Sequence, residues 1–335
     1  MPKVLGVDLG TANTFIYAKG KGIIMRAPSV VAIDKDTRDV VAVGRAARRM
    51  LGKTPEGIQA FRPLKSGVIA DFDVTAKMIR EFFEITESIS LFSRPIVIVC
   101  IPYGVTEVER RAVENVVFEA GARSVALIEE PLAAAIGTGL RVSGAEGNMI
   151  VDIGGGTTEV AVVSLGGIVA SRSVRVAGDA FDEAIINYLR SEKSLLIGDV
   201  TAEQLKMRIG SAHPSVDLGK HEVFGRDLRT GHAASAIVTS EDTRKAMKDP
   251  LDRIVHAIKT TLENTPPELS SDVYDNGIML TGGGALLGGI GALITQKTGI
   301  RVNIAKRPFD SVCMGIGRVI ESESMMGEIL KYRGK

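Results

Sequence analysis

The sequence predicts an α/β protein of two lobes, because one strand–turn–strand pattern occurs once in each half of the chain. The first copy covers residues 4–17 and the second covers residues 148–163. Each copy has an apolar strand, an aspartate, a turn rich in glycine and hydroxyl residues, and a second apolar strand. Repetition of this kind indicates two copies of one fold that face each other. Between the copies, the apolar run of residues 96–102 is typical of a buried parallel strand.

Length and composition indicate an ordinary folded protein of two domains. The chain has 335 residues, of which 45% are hydrophobic and 24% are charged. Its net charge of +1 indicates that nucleic acid is not a partner. Cys100 and Cys313 have no metal-ligand spacing, as expected for reduced core residues of a cytosolic protein. We expect no signal peptide, and no apolar run reaches the ~18 residues that a spanning helix requires.

The two turns carry the residue types that a phosphate group and a metal ion require. Glycines bring backbone N–H groups close to an anion, and threonine hydroxyls add hydrogen bonds. Asp8 and Asp152 can each hold a hydrated magnesium ion. A single glycine-rich turn is weak evidence, since it often forms only a hairpin. The pair of turns predicts a metal–polyphosphate held from both sides.

The first half is predicted to begin with a hairpin of residues 3–9 and 14–19. We expect residues 29–33 to add a third strand to the same mixed sheet. The charged and basic character of residues 34–66 then indicates a small insertion outside this sheet.

Three arginines, Arg45, Arg48 and Arg49, lie within this insertion. We interpret them as a solvated helix face, and a filament contact is the less favoured alternative.

A helix over residues 74–89 precedes a turn that contains two large apolar side chains, Leu91 and Phe92. These side chains could pack back onto the domain. The alternative is an exposed wedge that enters the surface of a bilayer.

A capping box at Thr106 and Glu109 predicts the start of the next helix. After a further short strand come Glu129, Glu130 and a proline that opens a helix of small residues. Carboxylates at the carboxyl end of a strand lie where α/β proteins bind ligands. We expect Glu130 to reach the ligand and Glu129 to satisfy the helix dipole.

In the second half, Gly178 lies at the start of a helix predicted over residues 180–190. This position suits the approach of a phosphate or ribose, and a simple N-cap glycine is the alternative. Glu203 and Lys206 share one face of a helix predicted over residues 201–209. A surface ion pair is the commoner meaning of such spacing.

A third glycine-rich turn, residues 281–285, follows another strand but has no aspartate. A glycine platform without carboxylates fits a flat, uncharged adenine better than a phosphate. A long helix over residues 241–264 is predicted to break at Pro250. In the final helix, Gly315 and Gly317 predict close helix packing at a hinge.

Four stretches in this order resemble the actin-like ATPase superfamily and, within it, the MreB family of bacterial actins. They are residues 8–14, 128–137, 152–159 and 280–287, and the likeness covers essentially the whole chain. The resemblance implies an actin-like α/β fold with two lobes, each a mixed sheet with flanking helices and a smaller inserted subdomain. The first implied lobe consists of residues 1–144 and 310–335, and its smaller subdomain covers about residues 33–66. The second implied lobe consists of residues 145–309, and its smaller subdomain covers about residues 181–243.

The resemblance also implies a site for ATP or ADP with Mg²⁺ in the cleft between the lobes. Asp8 and Asp152 would hold the metal through water. Glu130 would position the attacking water with support from Thr157, and Glu203 and Lys206 would lie beside the nucleoside. The residues implied to bind the nucleotide are Gly10, Thr11, Ala12, Asn13, Gly154, Gly155, Gly156, Gly178, Glu203, Lys206, Gly282, Gly283, Gly284 and Ala285.

By the same resemblance the protein is a slow ATPase that forms head-to-tail filaments, with paired strands, on the inner face of the cytoplasmic membrane. Shape and cell-wall synthesis proteins would be its partners. Two departures stand out: Met314 occupies a place where relatives carry a basic residue, and the amino end is too short for an amphipathic anchor. Membrane attachment therefore falls to Leu91 and Phe92. The alternatives are a chaperone-like or sugar-kinase-like ATPase of the same superfamily.

Overall fold

The structure, a computed structural model, describes residues 3–89 and 94–331, and the side chains as far as residue 327. The strands of the first half are β1 (Val4–Leu9), β2 (Asn13–Ala18), β3 (Gly22–Pro28), β4 (Val31–Asp34), β5 (Val40–Val43), β6 (Ile58–Phe61), β7 (Leu64–Lys65), β8 (Val68–Ile69), β9 (Ile96–Ile101) and β10 (Ser124–Glu129). Its helices are α1 (Gly44–Met50), α2 (Phe72–Ile85), α3 (Glu107–Glu119) and α4 (Glu130–Thr138).

The second half has its own set of strands and helices. The strands are β11 (Asn148–Ile153), β12 (Thr158–Ser164), β13 (Gly167–Val174), β14 (Leu195–Leu196), β15 (Lys220–Asp227), β16 (Ala233–Thr239), β17 (Ile278–Thr281) and β18 (Val302–Ile304). The helices are α5 (Gly178–Glu192), α6 (Asp199–Ile209), α7 (Ser240–Ala246), α8 (Lys248–Glu263), α9 (Pro267–Asn276), α10 (Ile290–Thr298), α11 (Ser311–Glu321) and α12 (Glu323–Lys331).

Two five-stranded mixed sheets repeat one topology. In the order β10-β9-β1-β2-β3, the central β1 pairs parallel with β9 and antiparallel with β2. In the order β13-β12-β11-β17-β18, the central β11 pairs parallel with β17 and antiparallel with β12. Asp8 lies opposite Phe15 in one hairpin and Asp152 lies opposite Glu159 in the other. The predicted duplication is confirmed.

The strand predicted over residues 29–33 is present as β4, but its predicted place as the third strand of the first sheet is wrong. The third strand of the first sheet is β3, which pairs with β2 from Ala18–Gly22 to Asn13–Pro28. Gly20 and Gly22 have φ values of 74° and 77°, and this left-handed backbone makes the β2–β3 turn so tight that pairing resumes at once. Pro28 ends the ladder because it has no N–H to donate. The next strand, β4, leaves to form a separate sheet.

Each half carries a smaller sheet beside its large one. The first half has the three-stranded order β5-β4-β6 with α1 packed on it, and the second has β14-β15-β16 next to α6 and α7. The predicted smaller subdomain in each lobe is therefore present.

Helices α4 and α11 cross at backbone contact, as Gly315 and Gly317 of α11 predict. A side chain on Gly315 would overlap the carbonyl of Ala133, and one on Gly137 would overlap the carbonyl of Ser311. A Cβ on Gly317 would overlap the ring of Tyr17. Apolar side chains of both sheets and of α11 pack in one buried cluster here, so this crossing joins the two halves beneath the cleft.

Most helix boundaries agree with the local signals, but the helix predicted over residues 74–89 is Phe72–Ile85 and so ends four residues earlier than predicted. The Thr106–Glu109 capping box is formed at the start of α3. The helix break predicted at Pro250 lies at Met247, and Pro250 falls in the first turn of α8. A proline is tolerated there because the N–H groups of a first turn have no partner within the helix. No helix among the described residues has the length and apolar character needed to cross a membrane.

Candidate functional site

A cavity of about 490 Å³ lies between the two large sheets and is lined from both halves. This volume is within the range of sites that hold a small molecule. The predicted residues that line it are Asp8, Gly10, Thr11, Ala12, Asn13, Glu130, Asp152, Gly154, Gly155, Gly156, Thr157, Gly178, Glu203, Lys206, Gly282, Gly283 and Gly284. Ala285 does not line the cavity. It is 1% exposed and packs in the core of the second half.

The two predicted phosphate loops touch each other across the cleft. A Cβ atom on Gly155 would lie 2.6 Å from Ala12 Cβ, closer than two carbon atoms can approach. A Cβ on Gly156 would lie 2.6 Å from Thr11 Oγ1 and 2.9 Å from Ser66 Cα. Glycine is therefore required at both positions by the close approach of the opposite loop.

Backbone hydrogen bonds fasten the second loop to the start of α5. The Gly178 N–H donates to the Gly154 carbonyl at 3.2 Å, and the Asp179 N–H donates to the Gly155 carbonyl at 2.8 Å. The Gly178 N–H is thus engaged within the protein, although Gly178 itself lines the cavity. On the other side, the Gly67 N–H donates to Thr11 Oγ1 at 3.0 Å.

Three acids, Asp8, Glu130 and Asp152, line one end of the cavity. Glu159 does not line it but lies close enough to Asp152 and Glu130 for its charge to raise their pKa values. Burial raises the pKa of Asp8 to about 6, although the Cys100 thiol, 3.4 Å from Asp8 Oδ1, opposes the shift. Burial, followed by the charges of Asp8 and Glu159, raises the pKa of Asp152 to about 8. Glu159 is 1% exposed, and its burial raises its pKa to about 7. Burial and the three other carboxylates raise the pKa of Glu130 well above its ordinary value.

These four carboxyl groups have no cationic partner in the described part of the chain. No lysine or arginine there forms an ion pair with any of them. Nor do the described residues include a cluster of three or more His, Cys, Asp or Glu side chains that could enclose a metal alone. Oxygen donors with unbalanced negative charge and few protein ligands fit Mg²⁺, which keeps waters and shares its remaining positions with phosphate oxygens.

Glu203 and Lys206 both face the cavity but do not pair with each other in the described structure. Lys206 Nζ lies 2.9 Å from Asp182 Oδ1 and donates to the Gly178 carbonyl at 2.9 Å. Glu203 Oε2 accepts from Arg48 Nη2 at 2.7 Å. The interpretation of Arg48 as part of a solvated face is therefore wrong, because this side chain reaches across the cleft.

Part of the cavity wall is apolar and contains residues for which the sequence analysis predicts no role. Phe309 stacks edge-on against Phe15 with ring centroids 5.4 Å apart. Met207 and Leu286 also line the cavity and are 75% and 65% exposed. Met207 directly follows Lys206, and Leu286 directly follows the third glycine turn. These positions in the sequence could have indicated that both residues line the cavity. Such surfaces suit a flat, uncharged ring.

Gly282 connects the third glycine turn to the acid end of the cavity. Its φ of 82° is left-handed, and a Cβ there would overlap the Asp152 carboxylate. The turn can therefore lie against Asp152 only if this residue is glycine.

Leu91 and Phe92, the predicted membrane contact, lie outside the described residues. That contact stays a prediction.

Comparison with known proteins gives concordant matches over nearly the whole chain. The family profile described as "MreB/Mbl protein" matches residues 2–328. The cell shape-determining protein MreB of Escherichia coli K12 is 52% identical over 329 residues, covering 96% of this chain and 94% of the relative. The crystal structure of MreB 5 of Spiroplasma citri bound to AMPPNP is 36% identical, has a TM-score of 0.92 and covers 99% of both chains.

A more distant solved structure agrees in fold. The MamK double helical filament is 23% identical to this chain, with a TM-score of 0.81 over 96% of this chain and 99% of the other. This likeness concerns the fold, which is the actin-like two-lobed arrangement predicted from the sequence.

Proposed function

The chain belongs to the MreB/Mbl family, and from that premise we propose that it is a cytoskeletal ATPase that determines cell shape. It binds ATP or ADP in the cavity between its two halves. The observation that carries this proposal is the contact between the two glycine loops at Ala12 and Gly155, with Asp8 and Asp152 directly before them. Two loops in this position can enclose a polyphosphate from opposite sides.

The order of residues along the cavity orients the nucleotide. We place the phosphates between the loops 10–13 and 154–157, next to the acids. The nucleoside lies towards Glu203, Lys206 and the glycines 282–284, where the cavity walls become apolar. Nucleotide binding itself is supported by the relative from Spiroplasma citri, whose crystal structure is bound to AMPPNP.

Mg²⁺ is the metal that the acids fit best, and Asp8 and Asp152 would hold it through water. Such an ion would balance the negative charge of the bound phosphates. Asp8 and Asp152 supply carboxylate oxygens from opposite halves, so the ion and its phosphates would connect the two sheets.

Glu130 begins α4 directly after β10 and would orient the attacking water, with support from Thr157, which lines the same cavity. The protein contributes position and charge stabilisation, and no covalent intermediate is required. Glu130 must be ionised to take a proton from the attacking water. In the described structure, burial and the charges of Asp152, Glu159 and Asp8 disfavour that state. A bound cation would reverse this influence.

We further propose that subunits stack head to tail into filaments on the inner face of the cytoplasmic membrane. Paired strands are the arrangement that the family resemblance implies. A head-to-tail contact joins two different surfaces and propagates without closing. The lobes would be residues 1–144 with 310–335, and residues 145–309. Organisation of cell-wall synthesis, through shape proteins as partners, is the expected cellular role.

Two measurements test the proposal. Sedimentation and electron microscopy with ATP, with ADP and without nucleotide should show that polymers form only when nucleotide is present. The polymers should also bind to a lipid monolayer. Phosphate release from ATP should be slow and should continue without any added acceptor. Transfer of phosphate from ATP to a sugar, or a wild-type protein that stays monomeric under every nucleotide and lipid condition, would contradict it.

A further inference from the structure

Two ion pairs connect the halves of the molecule at the mouth of the cavity. Arg48 Nη2 lies 2.7 Å from Glu203 Oε2, and Arg62 Nη1 lies 2.6 Å from Asp179 Oδ1. In each pair the arginine belongs to the first half and the acid to the second. Both acids line the cavity. These contacts are therefore part of the cavity rim.

Both arginines come from the smaller subdomain of the first half. Arg48 lies in the last turn of α1, and Arg62 directly follows β6. Arg45 and Arg49 lie on the same short helix as Arg48, are exposed, and form no ion pair among the described residues. The helix thus supplies one arginine that crosses the cleft and two that do not.

The two acids are attached to the loop and helix that form the second half of the cavity. The Asp179 N–H holds the Gly155 carbonyl of the second phosphate loop at 2.8 Å. Glu203 lies one turn before Lys206, whose ammonium holds the Gly178 carbonyl at 2.9 Å. A continuous series of contacts therefore runs along the cavity mouth. It begins at Arg48, passes through α6 and the start of α5, and ends at Arg62.

We propose that Arg48 and Arg62 are positioning residues of the nucleotide site, and that they act from the opposite half. Arg48 orients Glu203, and Arg62, through Asp179, holds the second phosphate loop against the first. Both pairs must break before the two halves can separate at the cavity mouth. The expected consequence is that the two arginines slow the release of ADP. This consequence rests on the proposed nucleotide binding.

The size of the effect follows from the exposure of the pairs. The side chains are 37% and 20% exposed in the Arg48–Glu203 pair, and 28% and 39% exposed in the Arg62–Asp179 pair. Solvent weakens ion pairs of this kind, so each should retard release by a few-fold, and the two together by about threefold to tenfold.

The first experiment measures the release of a fluorescent ADP analogue after mixing with excess unlabelled ADP. Arg48→Ala/Arg62→Ala should release the analogue about threefold to tenfold faster than wild type. Arg45→Ala/Arg49→Ala removes the same charge from the same subdomain and should release it at the wild-type rate. Arg48→Lys/Arg62→Lys, which keeps both charges, should fall between. Equal rates in the two alanine variants would overturn the proposal.

A second experiment uses the protein without nucleotide, so that it separates this inference from nucleotide binding itself. Hydrogen exchange at the Gly178 and Asp179 amides, which are bonded to the second loop, should be faster in Arg48→Ala/Arg62→Ala than in the control variant. Unchanged exchange would refute the positioning role. If the wild-type protein does not bind ADP, the proposed function fails, and the exchange result still decides whether the arginines hold the loop.

Discussion

Gly155 and Ala12 lie against each other from opposite halves of the molecule, with room at Gly155 for hydrogen only. A Cβ there would lie 2.6 Å from Ala12 Cβ. The contact sets the separation of the two phosphate loops, and therefore the width of the space in which a polyphosphate would lie.

Gly155→Ala should weaken ADP binding by about tenfold, because overpacking at this contact forces the loops apart at a cost of the order of 1–3 kcal/mol. Isothermal titration calorimetry with ADP and Mg²⁺ measures the change. Gly57→Ala is the matched control, since a Cβ at Gly57 has no atom within 4 Å. Wild-type affinity in Gly155→Ala would show that the loops do not need to touch.

Glu130→Gln should slow ATP hydrolysis by about a hundredfold or more, because the amide cannot accept a proton from water in the way a carboxylate can. ATP affinity should change little, since the side chain is assigned to the water and not to the nucleotide. Phosphate release under single-turnover conditions and equilibrium ATP binding separate the two effects. Glu129→Gln, one residue earlier and outside the cavity lining, is the control. Parallel losses of rate and affinity would remove the catalytic role of Glu130.

Asp182→Asn should change how thermal stability depends on pH between about 4 and 6. Burial raises the pKa of Asp182 from 3.8 to about 6, although the Lys206 ammonium opposes the shift. The folded protein therefore binds a proton here that the unfolded chain has already lost. The stability contributed by this group is complete below pH 4 and is lost as the pH rises through 6.

The measurement for Asp182 is the melting temperature of wild type minus that of Asp182→Asn, recorded without nucleotide from pH 4 to 8. The difference should fall as the pH rises towards 6 and then stay level. A difference that grows with pH would mean that Lys206 outweighs burial and that the pKa of Asp182 is depressed.

Leu91→Ser/Phe92→Ser should abolish co-sedimentation with liposomes and leave ADP binding unchanged. Two large apolar side chains in a turn can enter a bilayer surface, and serine removes that driving force. Val108→Ser is the control, because Val108 is 77% exposed elsewhere on the first half. If the double variant still sediments with liposomes, these residues pack onto the domain and another surface meets the lipid.

Local patterns predicted the features that depend on neighbours in sequence. The hairpins that carry Asp8 and Asp152, the capping box at Thr106 and the close approach of Gly315 all follow from residue types at short spacing. The prediction assigned the apolar segment that forms β4 to the first sheet. The third strand of that sheet is β3, which begins earlier in the sequence because the turn at Gly20 and Gly22 is tight. A periodic pattern shows that a strand exists, but it does not show which sheet the strand joins.

The sequence by itself determined the two copies of the aspartate–glycine hairpin, because a strand, a turn and a returning strand are specified by adjacent residues. Only the tertiary structure decided which side chains meet across the cleft. Arg48 and Glu203 are 155 positions apart, and each is an ordinary charged residue on a helix. Their ion pair depends on how the two inserted subdomains are positioned over one cavity. The sequence around either residue contains no periodic pattern or motif that would indicate this contact.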